Sequence, residues 1–124
     1  MAQITKPVWS AEQTGYSNTI AAGGSGDTDI DLATNGWDMA TGVIDVALSS
    51  ASSVTVDIYR STDGGVTFSN SSLAGGFTID ASAKYPLPDI LAESFVRFRV
   101  TNNDGTNPTG TITLTYQGRQ WSTA

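Results

Sequence analysis

The sequence predicts an all-β fold in which two antiparallel sheets pack face to face as a β-sandwich. Short segments alternate between apolar and polar residues, turn signals separate them at short intervals, and no segment keeps a helical period over several turns. Ser and Thr make up 31 of the 124 residues and charged residues only 15%, which is typical of strands whose solvated faces carry hydroxyl groups. Both jelly-roll and immunoglobulin-like connections fit this pattern.

A chain of 124 residues is long enough for one domain with a single core. Residues 1–16 show neither a helical nor an alternating period, so we predict an extended N-terminal arm over 1–16 and a β-sandwich domain over 17–124. The arm carries Ile4, Val8 and Trp9, which are costly to expose to water. The arm is either a flexible terminus or, as these apolar side chains favour, a segment that becomes ordered against a neighbouring subunit.

Three strands are predicted in the first half of the domain, at 17–22, 27–32 and 43–48. The second of them alternates most clearly, since Thr28, Ile30 and Leu32 share one face and three aspartates occupy the other. Two segments between the strands, 23–26 and 35–38, carry the glycine and asparagine residues that indicate turns.

The second half of the chain predicts five further strands, at 54–60, 66–69, 77–80, 94–101 and 111–116. The glycines after Asp63 indicate a hairpin turn between the first two. A single helical turn is expected near 88–92. The last two strands are expected to pair as a hairpin across the turn-rich segment 102–110.

The octet STDGGVTF at 61–68 matches the S-x-D-x-G-x-T-[WF] pattern known as the Asp-box, through Ser61, Asp63, Gly65, Thr67 and Phe68. The aspartate can accept hydrogen bonds from amides of its own turn, and the glycine permits a positive φ. In Asp-box proteins such as sialidases the motif lies in a hairpin turn of a propeller blade, where its role is structural. One copy cannot build a propeller, because each blade needs its own repeat. We therefore predict that these five residues build a turn.

The composition excludes several classes of function. Histidine and cysteine are absent, which removes Ser-His-Asp and Cys-His catalysis and thiolate metal sites. We expect no catalytic residues, no cofactor and no metal ion, and so no enzyme. The net charge of −6 disfavours nucleic acid and anionic membranes as partners. The segment MAQITKPVWSAEQ lacks the apolar stretch of a secretory signal, so none is expected.

Two sets of charged residues suggest other sites. The segment 27–38 carries acids at its positions 1, 3, 5 and 12, as an EF-hand calcium loop does, but Leu32 stands where that loop needs glycine. We interpret it as an acidic outward strand face, with a looser calcium site as the alternative. Arg97 and Arg99 share a strand face and are expected to pair with acids across strands, for example with Asp57.

The tryptophans Trp9, Trp37 and Trp121 leave three interpretations open. Exposed indole rings can stack on sugars, they can anchor a protein interface, or they can pack inside the domain. Together with Ile4 and Val8, we take these three as the predicted interface residues.

Over residues 40–118 the chain resembles small virion structural proteins of tailed bacteriophages, of the capsid decoration (cement) type. The resemblance is carried by the stretches VDIYRSTDGGVTF and SFVRFRVTNNDGTNPTGTITLTY, by the abundance of Ser, Thr and Gly, by the absence of cysteine and by the irregular arm. It implies a β-sandwich that binds a shell or tail by its arm and a sheet edge, without catalysis.

We therefore predict a non-enzymatic virion protein, assembled in the host cytoplasm, that stabilises the phage head as a capsid decoration protein. Its expected partners are the major capsid protein or another virion protein, and further copies of itself, with a trimer assumed. The alternatives are a carbohydrate-binding or receptor-binding module, and a component of the tail, baseplate or neck.

Overall fold

The computed structural model describes residues 5–73 and 76–123, which form ten strands and one helical turn. Ile4 lies outside the described residues. The elements are β1 (Thr5–Trp9), β2 (Gln13–Asn18), β3 (Ser25–Asp31), α1 (Leu32–Asn35), β4 (Met39–Val46), β5 (Val54–Ser61), β6 (Phe77–Ile79), β7 (Ala83–Pro86), β8 (Ile90–Leu91), β9 (Phe95–Asn102) and β10 (Ile112–Thr123).

The strands form two antiparallel sheets, which confirms the predicted β-sandwich. In sheet A, β10 lies between β4 on one side and both β1 and β2 on the other, while β7 and β8 pair with the far edge of β4. Sheet B has the order β3-β9-β5-β6. The order β2-β10-β4-β7 opposite β3-β9-β5-β6 is that of a jelly roll. The topology therefore decides between the two kinds of connection that the sequence left open.

The core lies between the sheets and is built from alternate residues of each strand. In β9, Val96, Phe98 and Val100 are buried while the residues between them stay partly exposed. Burial of one such side chain contributes about 1.5–3 kcal/mol, so a strand cannot turn its other face inward without losing most of its contribution. The core also contains Ile20, Ile30, Leu32, Ala40, Ile44, Val46, Leu48, Val54, Val56, Ile58, Ile79, Leu87, Ile90, Ile112 and Leu114.

The hairpin expected between 94–101 and 111–116 is wrong. β9 belongs to sheet B and β10 to sheet A, so the segment 103–111 crosses from one sheet to the other. A turn-rich segment shows only that the chain reverses direction. It does not show whether the chain returns beside the strand it left or passes to the opposite sheet.

The buried side chain of Asn102 holds this crossover in place. Its Nδ2 donates to the carbonyl oxygens of Ile20 at 3.3 Å, Ala21 at 3.3 Å and Asn107 at 2.9 Å. Its Oδ1 accepts from the amide of Asp104 at 2.9 Å. The Asn102 side-chain amide therefore hydrogen-bonds to four backbone groups at the end of the sandwich, outside the strand pairs.

The helical turn expected near 88–92 is also wrong, because the chain there forms the short strand β8, which pairs with the start of β4. The helical turn α1 lies instead directly after β3. The side chain of Asp31 accepts from the amide of Thr34 at 3.0 Å and so caps its beginning, and Gly36 ends it with a φ of 70°.

The return strand expected at 66–69 does not form. Residues 62–67 are a series of bends, and the chain then runs beside β5 with isolated backbone hydrogen bonds. The amide of Ser69 donates to the carbonyl of Arg60 at 2.8 Å, and the amide of Leu73 donates to that of Ile58 at 2.7 Å.

The predicted arm is extended, but its described part is paired within this chain. β1 pairs with the end of β10 and β2 with its beginning, and the predicted boundary between residues 16 and 17 falls inside β2. Among the described residues, no helix has the length and apolar character needed to cross a bilayer.

A substitution at Thr28 can test the packing of the core, because the buried Oγ1 of Thr28 has no hydrogen-bond partner among the described residues. An unpaired buried hydroxyl costs about 1–3 kcal/mol. We expect Thr28→Val to raise the free energy of unfolding in urea by about 1 kcal/mol.

The matched control is Thr109→Val. The Thr109 hydroxyl accepts from the amide of Ile20 at 2.9 Å and donates to the carbonyl of Gly110 at 2.7 Å, so its loss should lower the free energy of unfolding by about 1–3 kcal/mol. Equal destabilisation by both substitutions would contradict the unpaired state of Thr28.

Candidate interaction surface

The five Asp-box residues come together in one hydrogen-bonded turn after β5. The carboxylate of Asp63 accepts from the amide of Thr67 at 2.9 Å, from the Thr67 hydroxyl, from the Ser61 hydroxyl at 2.8 Å and from the amide of Val66 at 3.2 Å. The buried hydroxyl oxygen of Ser61 accepts from the amide of Gly65 at 2.9 Å. These bonds, led by those from Thr67, lower the pKa of Asp63 to about 2.

This turn packs on the outer face of sheet B rather than lining a cleft. The ring of Phe68 lies 4.1 Å from the guanidinium carbon of Arg97 and meets the ring of Phe95 edge-on at 5.9 Å. A Cβ at Gly65 would come within 2.6 Å of the Phe95 ring, and the φ of Gly65 is 92°. The geometry is that of a turn-building unit, with glycine required where the chain passes over the ring.

The acidic side chains of the segment 27–38 each bind a different partner. Asp27 and Asp29 lie on the outer face of β3, Asp31 caps α1, and Asp38 binds Arg119 at 2.8 Å. Within residues 5–73 and 76–123, no three acidic side chains are placed to hold a metal ion. The arrangement is that of an acidic strand face, and it offers no calcium loop in the described part of the chain.

Arg97 and Arg99 form ion pairs across strands, but with β3 rather than with Asp57. Arg97 Nε binds Asp29 at 2.7 Å and Arg99 Nε binds Asp27 at 2.8 Å, both with a second bond from Nη2. The Arg99 side chain lowers the pKa of Asp27. β9 has acids on both neighbouring strands, and the sequence alone does not show which neighbour each arginine chooses.

The feature that the sequence did not predict is a two-stranded extension of sheet A, which we call the aromatic ribbon. It consists of Thr5–Trp9 paired with Arg119–Thr123. Trp9, Arg119 and Trp121 share one face of it, because Arg119 lies opposite Trp9 in the ladder and alternate residues share a face. Both indole rings are solvent-exposed, Trp9 to 43% and Trp121 to 56%.

Arg119 organises this face. Its guanidinium carbon lies 5.8 Å from the centre of the Trp9 ring and 5.5 Å from that of Trp121. Asp38 accepts from Arg119 Nη2 at 2.8 Å, from Arg119 Nε at 3.2 Å and from Trp121 Nε1 at 3.1 Å. These contacts, led by that with Arg119, lower the pKa of Asp38. The Trp121 ring is thus hydrogen-bonded in place before any partner arrives, which reduces the entropy lost on binding.

Trp37 does not join the ribbon. It is half-buried on the inner side of sheet A, where its ring meets that of Tyr116 edge-on at 6.2 Å. A Cβ at Gly118 would lie 1.7 Å from the Trp37 ring, so only glycine allows the indole to lie against β10. The structure therefore brings together Trp9 and Trp121, with Val8 in the same strand, and places Trp37 against the core.

A second surface lies between the sheets at the opposite edge of the molecule, and we call it the open-edge groove. Apolar side chains line it together with Arg60, Asp89 and Glu93. It consists of two adjoining cavities of about 300 and 400 Å³. Leu73, Ile90 and Leu91 line the first, Phe77 and Pro86 line the second, and Pro88 lines both. Leu73 is 41% exposed and Leu91 58%. It could not be predicted from the sequence, because its residues come from separate segments of the chain.

No family model matches the sequence, and no curated protein matches it. Several solved structures share the fold, and three of them align with this chain as follows. PBSX exported protein XepA aligns with 90% of this chain at a TM-score of 0.64 and 15% identity, and the chain spans 37% of the length of XepA. Yersinia pseudotuberculosis-derived mitogen aligns at a TM-score of 0.52 and 16% identity over 91% of this chain and 86% of that one. SPBc2 prophage-derived protein YomS aligns at a TM-score of 0.51 and 14% identity over 94% of this chain and 97% of that one. These likenesses show the fold, and the fold does not decide the function.

The depressed pKa of Asp63 yields a test of the Asp-box turn. The Asp63 carboxylate has a folded-state pKa of about 2, so it stabilises the fold fully when the pH is above the pKa that it has in the unfolded chain. This stabilisation is lost as the pH falls through about 2. Asp63→Asn should lower the melting temperature at pH 7 by several degrees. The difference from the unsubstituted chain should shrink as the pH approaches 2.

The control is Asp80→Asn, because Asp80 is exposed and accepts no hydrogen bond from the described residues. It should leave the melting temperature nearly unchanged. If the melting temperatures of the Asp63→Asn variant and the unsubstituted chain differed by the same amount at pH 7 and pH 2, the charged carboxylate would have no role in stabilising the turn.

Proposed function

We propose that this chain is a non-enzymatic virion structural protein, and specifically a capsid decoration protein that binds the outside of a phage head. The observation that carries the proposal is the aromatic ribbon. Trp9 and Trp121 are exposed, and the centres of both rings lie within 5.8 Å of the Arg119 guanidinium carbon. Preorganised tryptophans of this kind are the residues that most often anchor protein interfaces.

The remaining surface suits an inert scaffold. On sheet B the charged side chains neutralise one another in pairs, such as Arg97 with Asp29 and Arg99 with Asp27. The shallow depressions on the outer face of sheet A are lined by threonines together with Glu12 and Val43. Two of the cavities found among the described residues are lined by two acids each, Asp89 with Glu93 and Glu12 with Asp45. Arg60 binds Glu93 at 2.6 Å, so Glu93 is not free to act as the acid or base of glycoside hydrolysis.

The comparison with YomS agrees with this proposal. That protein is described as prophage-derived, and the two chains align over nearly the full length of both. A shared fold does not establish a shared role. YomS supports the proposal because its prophage origin agrees with the resemblance of this sequence to phage virion proteins.

A carbohydrate-binding or receptor-binding module is the second candidate, because exposed indole rings also stack on sugars. Trp37 packs on Tyr116, so the indole rings available to stack on a sugar are those of Trp9 and Trp121. A tail, baseplate or neck component would use the same ribbon on a different virion protein.

Cosedimentation with purified phage parts tests the proposal. The purified chain should bind emptied heads from which decoration proteins have been stripped, and should not bind isolated tails. The double variant Trp9→Ser/Trp121→Ser should bind at least about 10-fold more weakly, since each buried tryptophan anchor contributes about 2 kcal/mol or more. Val66→Ser is the matched control, because Val66 is 79% exposed and lies in the Asp-box turn.

Point substitutions are preferable to deleting residues 1–16, which would remove β1 and much of β2 from sheet A. Binding to tails alone would favour the tail or baseplate role. Glycan-array binding that disappears in the double variant would favour the carbohydrate-binding module. Either result would contradict capsid decoration.

A further inference from the structure

The two exposed indole rings of the aromatic ribbon are held by different contacts. The Trp121 N–H donates to Asp38 Oδ2 at 3.1 Å, and its ring centre lies 5.5 Å from the Arg119 guanidinium carbon. The Trp9 ring centre lies 5.8 Å from the same carbon, and no described residue accepts a hydrogen bond from the Trp9 indole. Trp121 is therefore the ring whose orientation is fixed by a directional bond as well as by a cation–π contact.

The Asp38 carboxylate joins Arg119 to Trp121 through one oxygen. Oδ2 accepts from Trp121 Nε1 and, at 2.8 Å, from Arg119 Nη2, while Oδ1 accepts from Arg119 Nε at 3.2 Å. Arg119 and Trp121 are two residues apart on β10 and share a face. A carboxylate that binds in this two-pronged way fixes the plane of the guanidinium, and the guanidinium contacts both indole rings.

Asp38 itself is anchored in the sandwich. Its amide donates to the carbonyl of Arg119 at 2.8 Å, at the point where the ladder between β4 and β10 begins. The preceding amide, that of Trp37, donates to the carbonyl of Leu32 at 2.9 Å, and Leu32 is fully buried. Asp38 therefore connects the side chains of the ribbon to the core through a short path of hydrogen bonds.

The ribbon depends on such a contact because it extends beyond the four-stranded part of sheet A. The ladder with β4 starts at Met39, opposite Arg119, and past this point β1 is the only described partner of β10. Two paired strands alone are only marginally stable in water. A side chain that reaches the ribbon from the sandwich therefore matters more here than it would inside a sheet.

We infer that Asp38 is a positioning residue of the binding surface, which holds Arg119 and Trp121 in the arrangement that a partner meets and so makes Trp121 the principal anchor. The inference rests on the proposed function, because it takes the phage head as the partner of the ribbon. A side chain that is ordered in advance loses less entropy on binding. The Asp38–Arg119 pair is partly exposed, so it adds little to the stability of the fold, and its loss should weaken binding without unfolding the chain.

Nuclear magnetic resonance of the free protein tests the arrangement without any partner. The indole N–H signal of Trp121 is identified by its absence from the Trp121→Phe variant. Asp38→Ala should move this signal to a lower chemical shift and speed its exchange with water, because the N–H then loses its carboxylate acceptor. The matched control is Asp29→Ala, which breaks the pair with Arg97 on sheet B, where the aspartate is 39% exposed against 40% for Asp38. The control should leave the Trp121 signal unchanged.

Cosedimentation with emptied heads tests the consequence for binding. Asp38→Ala should bind about 5-fold more weakly, which is the effect of having to order one side chain on binding. When it is added to Trp121→Ser, the same substitution should weaken binding by less than about 2-fold, because the ring that Asp38 positions is already absent. Asp29→Ala should bind as the unsubstituted chain does. Asp38→Asn replaces Asp38→Ala if thermal melting shows that the latter does not fold.

The two measurements separate this inference from the proposed function. An unchanged Trp121 signal in the Asp38→Ala variant would overturn the inference, and so would an equal loss of binding with and without the Trp121 ring. A chain that binds heads equally well with and without the Asp38 carboxylate refutes the positioning role alone. A chain that ignores heads while its Trp121 signal shifts as expected refutes the proposed function alone.

Discussion

Strand β10 forms backbone ladders along both of its edges, and the arrangement of the molecule depends on it. Over its first half it joins β2 to β4, and its inward side chains Ile112 and Leu114 lie in the core. At Gly118 the Trp37 ring packs directly against its backbone and closes the core at this end. Beyond Arg119 the same strand continues with β1 as its only described partner and forms the ribbon. One strand thus ends the hydrophobic core and presents the exposed tryptophans.

For the strongly alternating strands the sequence predicted which face is buried, because that property is local. In β9 and β3 the alternation of apolar and polar residues follows the pleat directly, and the structure has the same residues inside. Partner choice is not local. The pairing of β9 with β3 and β5 instead of β10, and that of Arg97 with Asp29 instead of Asp57, depends on where distant strands lie in the sheet. The ribbon and the groove escaped prediction for this reason, since each is assembled from segments far apart in the chain.

The acidic residues show how little of the surface is left for chemistry. Asp31 caps a helix, Asp63 and Asp104 organise turns, and Asp27, Asp29 and Asp38 bind arginines. Each of these six carboxylates is held by a helix cap, a turn or an arginine. A net charge of −6 then serves solubility and repels unselective contacts between copies. Against this background the exposed pair of indole rings, Trp9 and Trp121, is the feature that favours binding.

The central claim is that this chain acts through its exterior, and through the ribbon above all. Amide hydrogen exchange, compared between the free protein and the protein bound to emptied heads, tests this claim most directly. The account predicts that protection on binding rises most in Thr5–Trp9 and in 119–123, while the core amides of β5 and β9 change little. Bound protein whose ribbon exchanges as fast as in the free state, with new protection confined to another surface, would contradict it.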